Sequence, residues 1–152
     1  MLTQELYDLL GQYGDEIMLA IQKRLDEDDK VATGKSRNSL LKRVTPNSLE
    51  IEGWKYLETI SGGRQPGLKP PPIARIMGWV HAREIPYKKG RLRTVAFFIA
   101  KRISERGLKG NNMLTDIKNQ FAPRLDADIA DIIENEILKI AGQVTARNKT
   151  VR

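Results

Sequence analysis

Four of the seven prolines in this 152-residue chain fall within nine positions, Arg64-Gln65-Pro66-Gly67-Leu68-Lys69-Pro70-Pro71-Pro72. Each proline fixes φ and lacks an amide hydrogen, so the segment fits neither a helix interior nor a central strand. It predicts an extended loop, and the chain on either side must build its elements separately. Any fold for this sequence is organised around that interruption.

Ahead of the loop, Leu6, Leu9, Leu10, Tyr13, Ile17, Ala20, Ile21 and Leu25 recur at spacings of three and four, which predicts a helix over residues 3–27. Thr3 reads as its N-cap, and Glu5 and Asp8 favour the positive end of the helix dipole. Gly11 and Gly14 weaken the helix, and the acidic run Asp26, Glu27, Asp28, Asp29 ends it. Leu49 and Ile51 alternate with Glu50 and Glu52, the pattern of a half-buried strand. Ser39–Val44 is its expected partner, with Thr45-Pro46-Asn47-Ser48 as the turn. Tyr56–Ile60 reads as a third strand, ended by Gly62-Gly63.

Beyond the loop, Ile73, Ile76, Met77 and Val80 predict a short helix with Pro72 in its first turn and Pro86 at its end. Leu92, Val95, Ala96, Ile99, Ala100 and Ile103 predict a helix over about 91–106, capped by Gly107. Its other face carries Arg91, Arg93, Lys101, Arg102 and Arg106. Leu125, Ile129, Ile132, Ile133, Ile137, Ile140 and Val144 line one face of a last helix, about 125–144. The order predicts a single α+β domain over residues 1–144: a small antiparallel sheet, hairpin plus one strand, packed by about four helices. Residues 145–152 read as a flexible tail.

Charge is sorted along the chain. Residues 62–109 carry twelve Lys or Arg against Glu84 and Glu105, a net +10 in a chain whose total is +7, whereas residues 1–30 are net −5. Such crowding of like charge implies a polyanionic partner or an oriented field. No apolar run approaches the roughly 18–20 residues that span a bilayer, and no secretory signal is visible, so no membrane partner is expected. The absence of cysteine removes disulfides, thiol nucleophiles and thiolate metal sites, and suits a reducing cytoplasm.

No residue set argues for catalysis. His81 is the sole histidine and reads as a surface or packing residue, which leaves no triad and no multi-histidine metal site. The Asp26–Asp29 run lacks the ligand spacing of a calcium loop and reads as a solvated helix end. Asp126, Asp128 and Asp131 fit a helix N-terminus. Thr33-Gly34-Lys35-Ser36 contains the letters of a phosphate loop, but Asp29 stands where that loop needs its first glycine. No catalytic, cofactor or metal residue is assigned, and no small-molecule substrate is expected. Trp54, Tyr56, Trp79 and Tyr87 form no stacking ladder for single strands, so any DNA contact would be to the backbone, without sequence preference.

The order of motifs resembles the tail-completion and head–tail joining (neck) proteins of tailed bacteriophages. The likeness runs through Thr33-Gly34-Lys35-Ser36-Arg37-Asn38-Ser39-Leu40 and then the aromatic-led segment Tyr56–Ile60 closing on Ser61-Gly62-Gly63-Arg64. It continues through Pro70-Pro71-Pro72, Ile76 to Trp79, and Ile103-Ser104-Glu105-Arg106-Gly107. Lys35 and Ser36 depart from the hydrophobic residue often found after Thr-Gly in that family. The resemblance covers roughly residues 3–110 and implies a non-catalytic virion protein, made in the host cytoplasm, that forms a ring between portal and tail.

That reading expects a hexameric or dodecameric homo-oligomer contacting portal or adaptor and tail or neck proteins. The acidic first helix and basic centre would meet head-to-tail, since heterologous contacts of that kind close into rings. Arg64, Gln65, Pro66, Leu68, Pro70, Pro71, Arg91 and Arg102 are the expected interface residues. Lys69, Lys88, Lys89 and Arg93 are the candidates to face genomic DNA in the channel. The alternative is a cytoplasmic, sequence-nonspecific DNA-binding accessory protein using residues 88–106.

Overall fold

A computed structural model of the chain describes residues 2–28 and 35–150. In order these form helix α1 (Leu2–Glu27), a single helical turn α2 (Lys35–Asn38), strands β1 (Leu41–Thr45) and β2 (Ser48–Glu52), and helices α3 (Tyr56–Gly62), α4 (Ile73–Ala82), α5 (Leu92–Arg106) and α6 (Met113–Thr150). The class is α+β, as the element order predicts. The chain divides into two compact units built from interleaved segments. The first takes the chain up to Ala20, Leu41–Glu52 and everything from Asp116; the second takes Ile21–Leu40 and Gly53–Thr115.

In the first unit, α1 runs antiparallel to α6. Glu5 pairs with Lys139 at 3.7 Å, the Tyr13 hydroxyl donates to Asp128 at 2.5 Å, and Arg124 reaches Glu16 at 3.5 Å. Tyr13 meets Phe121 edge-on, with ring centroids 6.4 Å apart, and Leu10, Tyr13, Ile117 and Phe121 are buried. The β1–β2 hairpin turns through Pro46-Asn47, with Thr45 opposite Ser48 and Leu41 opposite Glu52. Its half-buried side chains, Lys42 and Val44 on β1 with Leu49 and Ile51 on β2, alternate with exposed ones, as a one-sided strand pair requires. The hairpin rests on α1 at Gly14, where a Cβ would lie 2.9 Å from Leu49 Cδ1. Lys42 then reaches along α1 to the Gly11 carbonyl at 3.1 Å and the Asp15 carboxylate at 2.5 Å.

In the second unit, α4 and α5 pack through Ile76, Val80, Ala96 and Ala100, with Ile73, Met77, Leu92, Ile99 and Ile103 around them. The two alanines let the helices approach closely. Leu25, Leu57, Ile60 and Met113 are also buried in this unit.

Four expectations are corrected. Tyr56–Ile60 is helix, not a third strand: Leu57, Ile60 and Ser61 are buried at helical spacing, and Leu57 N–H donates to the Trp54 carbonyl at 2.8 Å. Among the described residues the sheet is therefore the β1–β2 pair alone. α4 stops at Ala82, because Glu84 takes a left-handed φ of 50° before Pro86 is reached. α6 starts at Met113 and runs 38 residues through Pro123 to Thr150, so residues 145–150, expected as tail, continue the helix. Thr3 lies inside α1, which begins at Leu2.

Candidate assembly and polyanion-binding surfaces

The proline-rich loop is held down along its first half. Arg64 and Leu108 exchange backbone hydrogen bonds, each 2.8 Å long. Gly67 N–H donates to the Ser104 carbonyl at 2.7 Å, and Ser104 Oγ donates to the Leu68 carbonyl at 2.6 Å. The Arg64 guanidinium donates to the Lys69 carbonyl. The glycines ending α3 and α5 make this clamp possible. Gly63 (φ 78°, ψ −164°) and Gly107 (φ 72°, ψ −168°) occupy a region that only glycine adopts readily. A Cβ on Gly63 would sit 2.5 Å from the Leu108 carbonyl oxygen, and one on Gly107 would strike that of Arg64.

Immediately after the clamp, α6 is capped by two side chains. Asn111 Oδ1 accepts from Met113 N–H at 3.1 Å and Ser61 Oγ from Leu114 N–H at 3.0 Å. Asn111 also donates to Asp28 at 2.6 Å, which ties the end of α1 into the same corner.

Of the expected interface residues, Gln65, Pro66, Leu68 and Pro70 are exposed on this clamped loop, while Arg64 and Pro71 are half-buried. The first half of the loop is thus fixed in place rather than a free arm.

Charge also separates between the two units. By sequence the first unit holds eight Lys or Arg and twelve Asp or Glu, net −4; the second holds eighteen and seven, net +11. The acids of α1, expected as one half of a head-to-tail contact, are already engaged. Asp15 pairs with Lys42, Glu16 with Arg124, Glu5 with Lys139, Asp26 with Arg37, Glu27 with Lys23, and Asp28 with Arg24. Half of the second unit's eighteen cations are not. Lys69, Arg75, Lys88, Lys89, Arg91, Arg93, Arg102, Arg106 and Lys109 are all exposed and meet no carboxylate among the described residues. Every DNA-channel candidate, and both Arg91 and Arg102, belong to this set.

The outward face of α5 differs from the expected basic stripe. At about 100° per residue, Arg91, Arg102 and Arg106 fall on one edge of the solvent-facing arc and Arg93 on the other. The middle is occupied by Phe97, Phe98 and the Lys101–Glu105 pair, whose charged atoms are 3.8 Å apart. The two phenylalanines are 50% and 62% exposed and stack edge-on at 5.8 Å. The outward face of α5 thus combines two exposed rings, an ion pair and an arginine-bearing edge. Sequence reasoning missed the two rings, although both residues stand outside the apolar period set by Val95, Ala96, Ile99 and Ala100.

Tyr13 has a raised pKa. The hydrogen bond it donates to Asp128 raises its pKa, burial and the Asp128 charge act the same way, and Arg124 opposes them. His81 is exposed at the end of α4. No group of three or more acid or histidine side chains is placed to hold a metal ion among the described residues. No helix of the described residues is long and apolar enough to cross a membrane. Asp29 and Thr33-Gly34, part of the acidic run and of the Thr-Gly motif, lie outside the described residues. Comparisons with protein-family models, with curated proteins and with solved structures give no match to this chain.

Proposed function

We propose that this chain is a structural, non-catalytic virion protein of a tailed bacteriophage, assembling as a closed hexameric or dodecameric ring in the neck or tail-top around the DNA channel. The ordered motifs from Thr33 to Gly107 support the family. The observation that carries the assembly role is the segregation of charge, −4 in one unit and +11 in the other. The open cations and the Phe97–Phe98 pair sit on the basic unit, whose surface suits a protein neighbour at the two rings and an acidic neighbour or DNA at the cations. A moderate grip on DNA is what a channel needs, because tight backbone binding would oppose passage. Negative-stain electron microscopy of the purified protein should show rings, and mass spectrometry should find the chain in purified virions. A protein that stays monomeric and is absent from virions refutes the proposal.

The nine cations that meet no carboxylate among the described residues also favour a second reading, a sequence-nonspecific DNA-binding accessory protein. It requires duplex affinity that falls steeply with salt, with a log–log slope of about −0.9 per phosphate engaged, and that weakens in Arg91→Ala and Arg93→Ala. Duplex binding by an isolated monomer, with no ring formed, selects this reading. Absence of binding at low salt eliminates it.

A further inference from the structure

The far end of α6 presents an apolar ridge with no partner among the described residues. Ile133, Ile137, Ile140 and Val144 are each between 41% and 60% exposed, and from Ile137 to Arg147 every described side chain is exposed. α1 lies against a different side of α6, the one bearing Phe121, Arg124, Asp128 and Lys139. The ridge spacings are four, three and four, the period at which two helices interlock side chains along a seam. That series reads the same in both directions, so the ridge is complementary to a second copy of itself.

Charge selects the direction of pairing. Among the described side chains, residues 126–136 carry five acids (Asp126, Asp128, Asp131, Glu134, Glu136) and no base, whereas residues 137–147 carry Lys139, held by Glu5 and Glu136, and the exposed Arg147, with no acid. The switch falls at the midpoint of the ridge. A parallel pair would set acids against acids and bases against bases. In an antiparallel pair centred between Leu138 and Lys139, Arg147 of each copy lies beside the other copy's acidic half. Ile133 then faces Val144, Ile137 faces Ile140, and Arg147 comes level with residue 130, about one turn from Glu134 on the edge of the seam. Opposed helix dipoles favour the same direction. Each helix is already built as far as Thr150 and is held by α1 up to Lys139 in its own copy, so little ordering is needed on association.

We infer that the distal half of α6 is an isologous, antiparallel docking site for a second copy of this chain, giving a two-fold pair. This contact is independent of the neck reading: rings could form without it, and it could form without rings.

The absence of native cysteine makes the test direct, because an introduced thiol is the sole one. An equimolar mixture of Ile133→Cys and Val144→Cys chains, mildly oxidised, should give a covalent dimer containing one of each, while either variant alone cross-links poorly. Ile137→Glu, at an exposed position, should keep its helical circular dichroism yet weaken pairing by about 100-fold in sedimentation. Either variant cross-linking alone as well as the mixture overturns the antiparallel arrangement. A wild-type chain that sediments as a monomer at about 100 µM overturns the contact itself.

Discussion

Gly107→Ala tests the clamp that fixes the proline-rich loop, and its cost can be assembled from the local geometry. At φ 72° and ψ −168°, an alanine would carry about 1–3 kcal/mol of backbone strain. Its Cβ would also strike the Arg64 carbonyl and approach Pro66 N to 2.9 Å, forcing the Arg64–Leu108 bridge apart. Losing those two hydrogen bonds adds about 1 kcal/mol each, for a total of roughly 3–5 kcal/mol. Gly90→Ala is the matched control. Gly90 has a φ of 77°, but a Cβ there would find nothing within 4 Å, so only the backbone term of about 1–2 kcal/mol applies. Both tryptophans, Trp54 and Trp79, lie in the second unit, so their fluorescence during urea unfolding reads that unit. The Gly107 variant should lose on the order of 2 M in urea midpoint, clearly more than the Gly90 variant. Equal losses would show that the bridge contributes nothing and that the loop is not held as described.

Two neighbouring glycines of α1 should respond in opposite directions. Gly11→Ala has open space and should stabilise by about 0.5–1 kcal/mol, whereas Gly14→Ala meets Leu49 and Lys42 and should destabilise by about 1 kcal/mol or more. Thermal unfolding followed by circular dichroism separates them, and a stabilised Gly14 variant would displace the hairpin from α1. Tyr13 should make stability fall in alkali. Below pH 10 the folded and unfolded phenols are both protonated; above it the unfolded phenol ionises first, because Asp128 holds the folded one protonated. The loss therefore begins near pH 10 and ends once the folded phenol also ionises, and Tyr13→Phe should flatten that part of the curve. Phe97→Ala with Phe98→Ala should leave the unfolding midpoint nearly unchanged, since both rings are largely exposed, yet reduce the fraction of ring particles.

Periodicity alone located α1, the hairpin with its turn at Pro46-Asn47, and the bounds of α5, because each buries a regular apolar face. What it missed was decided by distant residues. Five positions of Tyr56–Ile60 are too few to separate the two periods; the helix is settled by Ser61, whose hydroxyl caps α6 53 residues further on. The start of α6 likewise depends on that hydroxyl and on Asn111, not on its own early pattern, which Pro123 obscures. For the functional surfaces, the sequence shows how many cations the centre holds but not which acids are already engaged. Pairing Asp15 with Lys42 or Glu16 with Arg124 needs the fold. Phe97 and Phe98, by contrast, were readable as apolar residues on the wrong side of α5.

The interleaving of the two units also sets an order of events during synthesis. Every segment of the basic unit has left the ribosome once Thr115 has emerged, but the acidic unit must wait for α6. Tyr13 and its hydrogen-bond partner Asp128 are 115 residues apart, so at about 5–20 residues per second the first helix waits roughly 6–20 s for its mate. Through that interval Leu10 and Tyr13 stand without the surface that later covers them. The nascent chain therefore holds a complete basic unit while the apolar face of α1 still awaits α6.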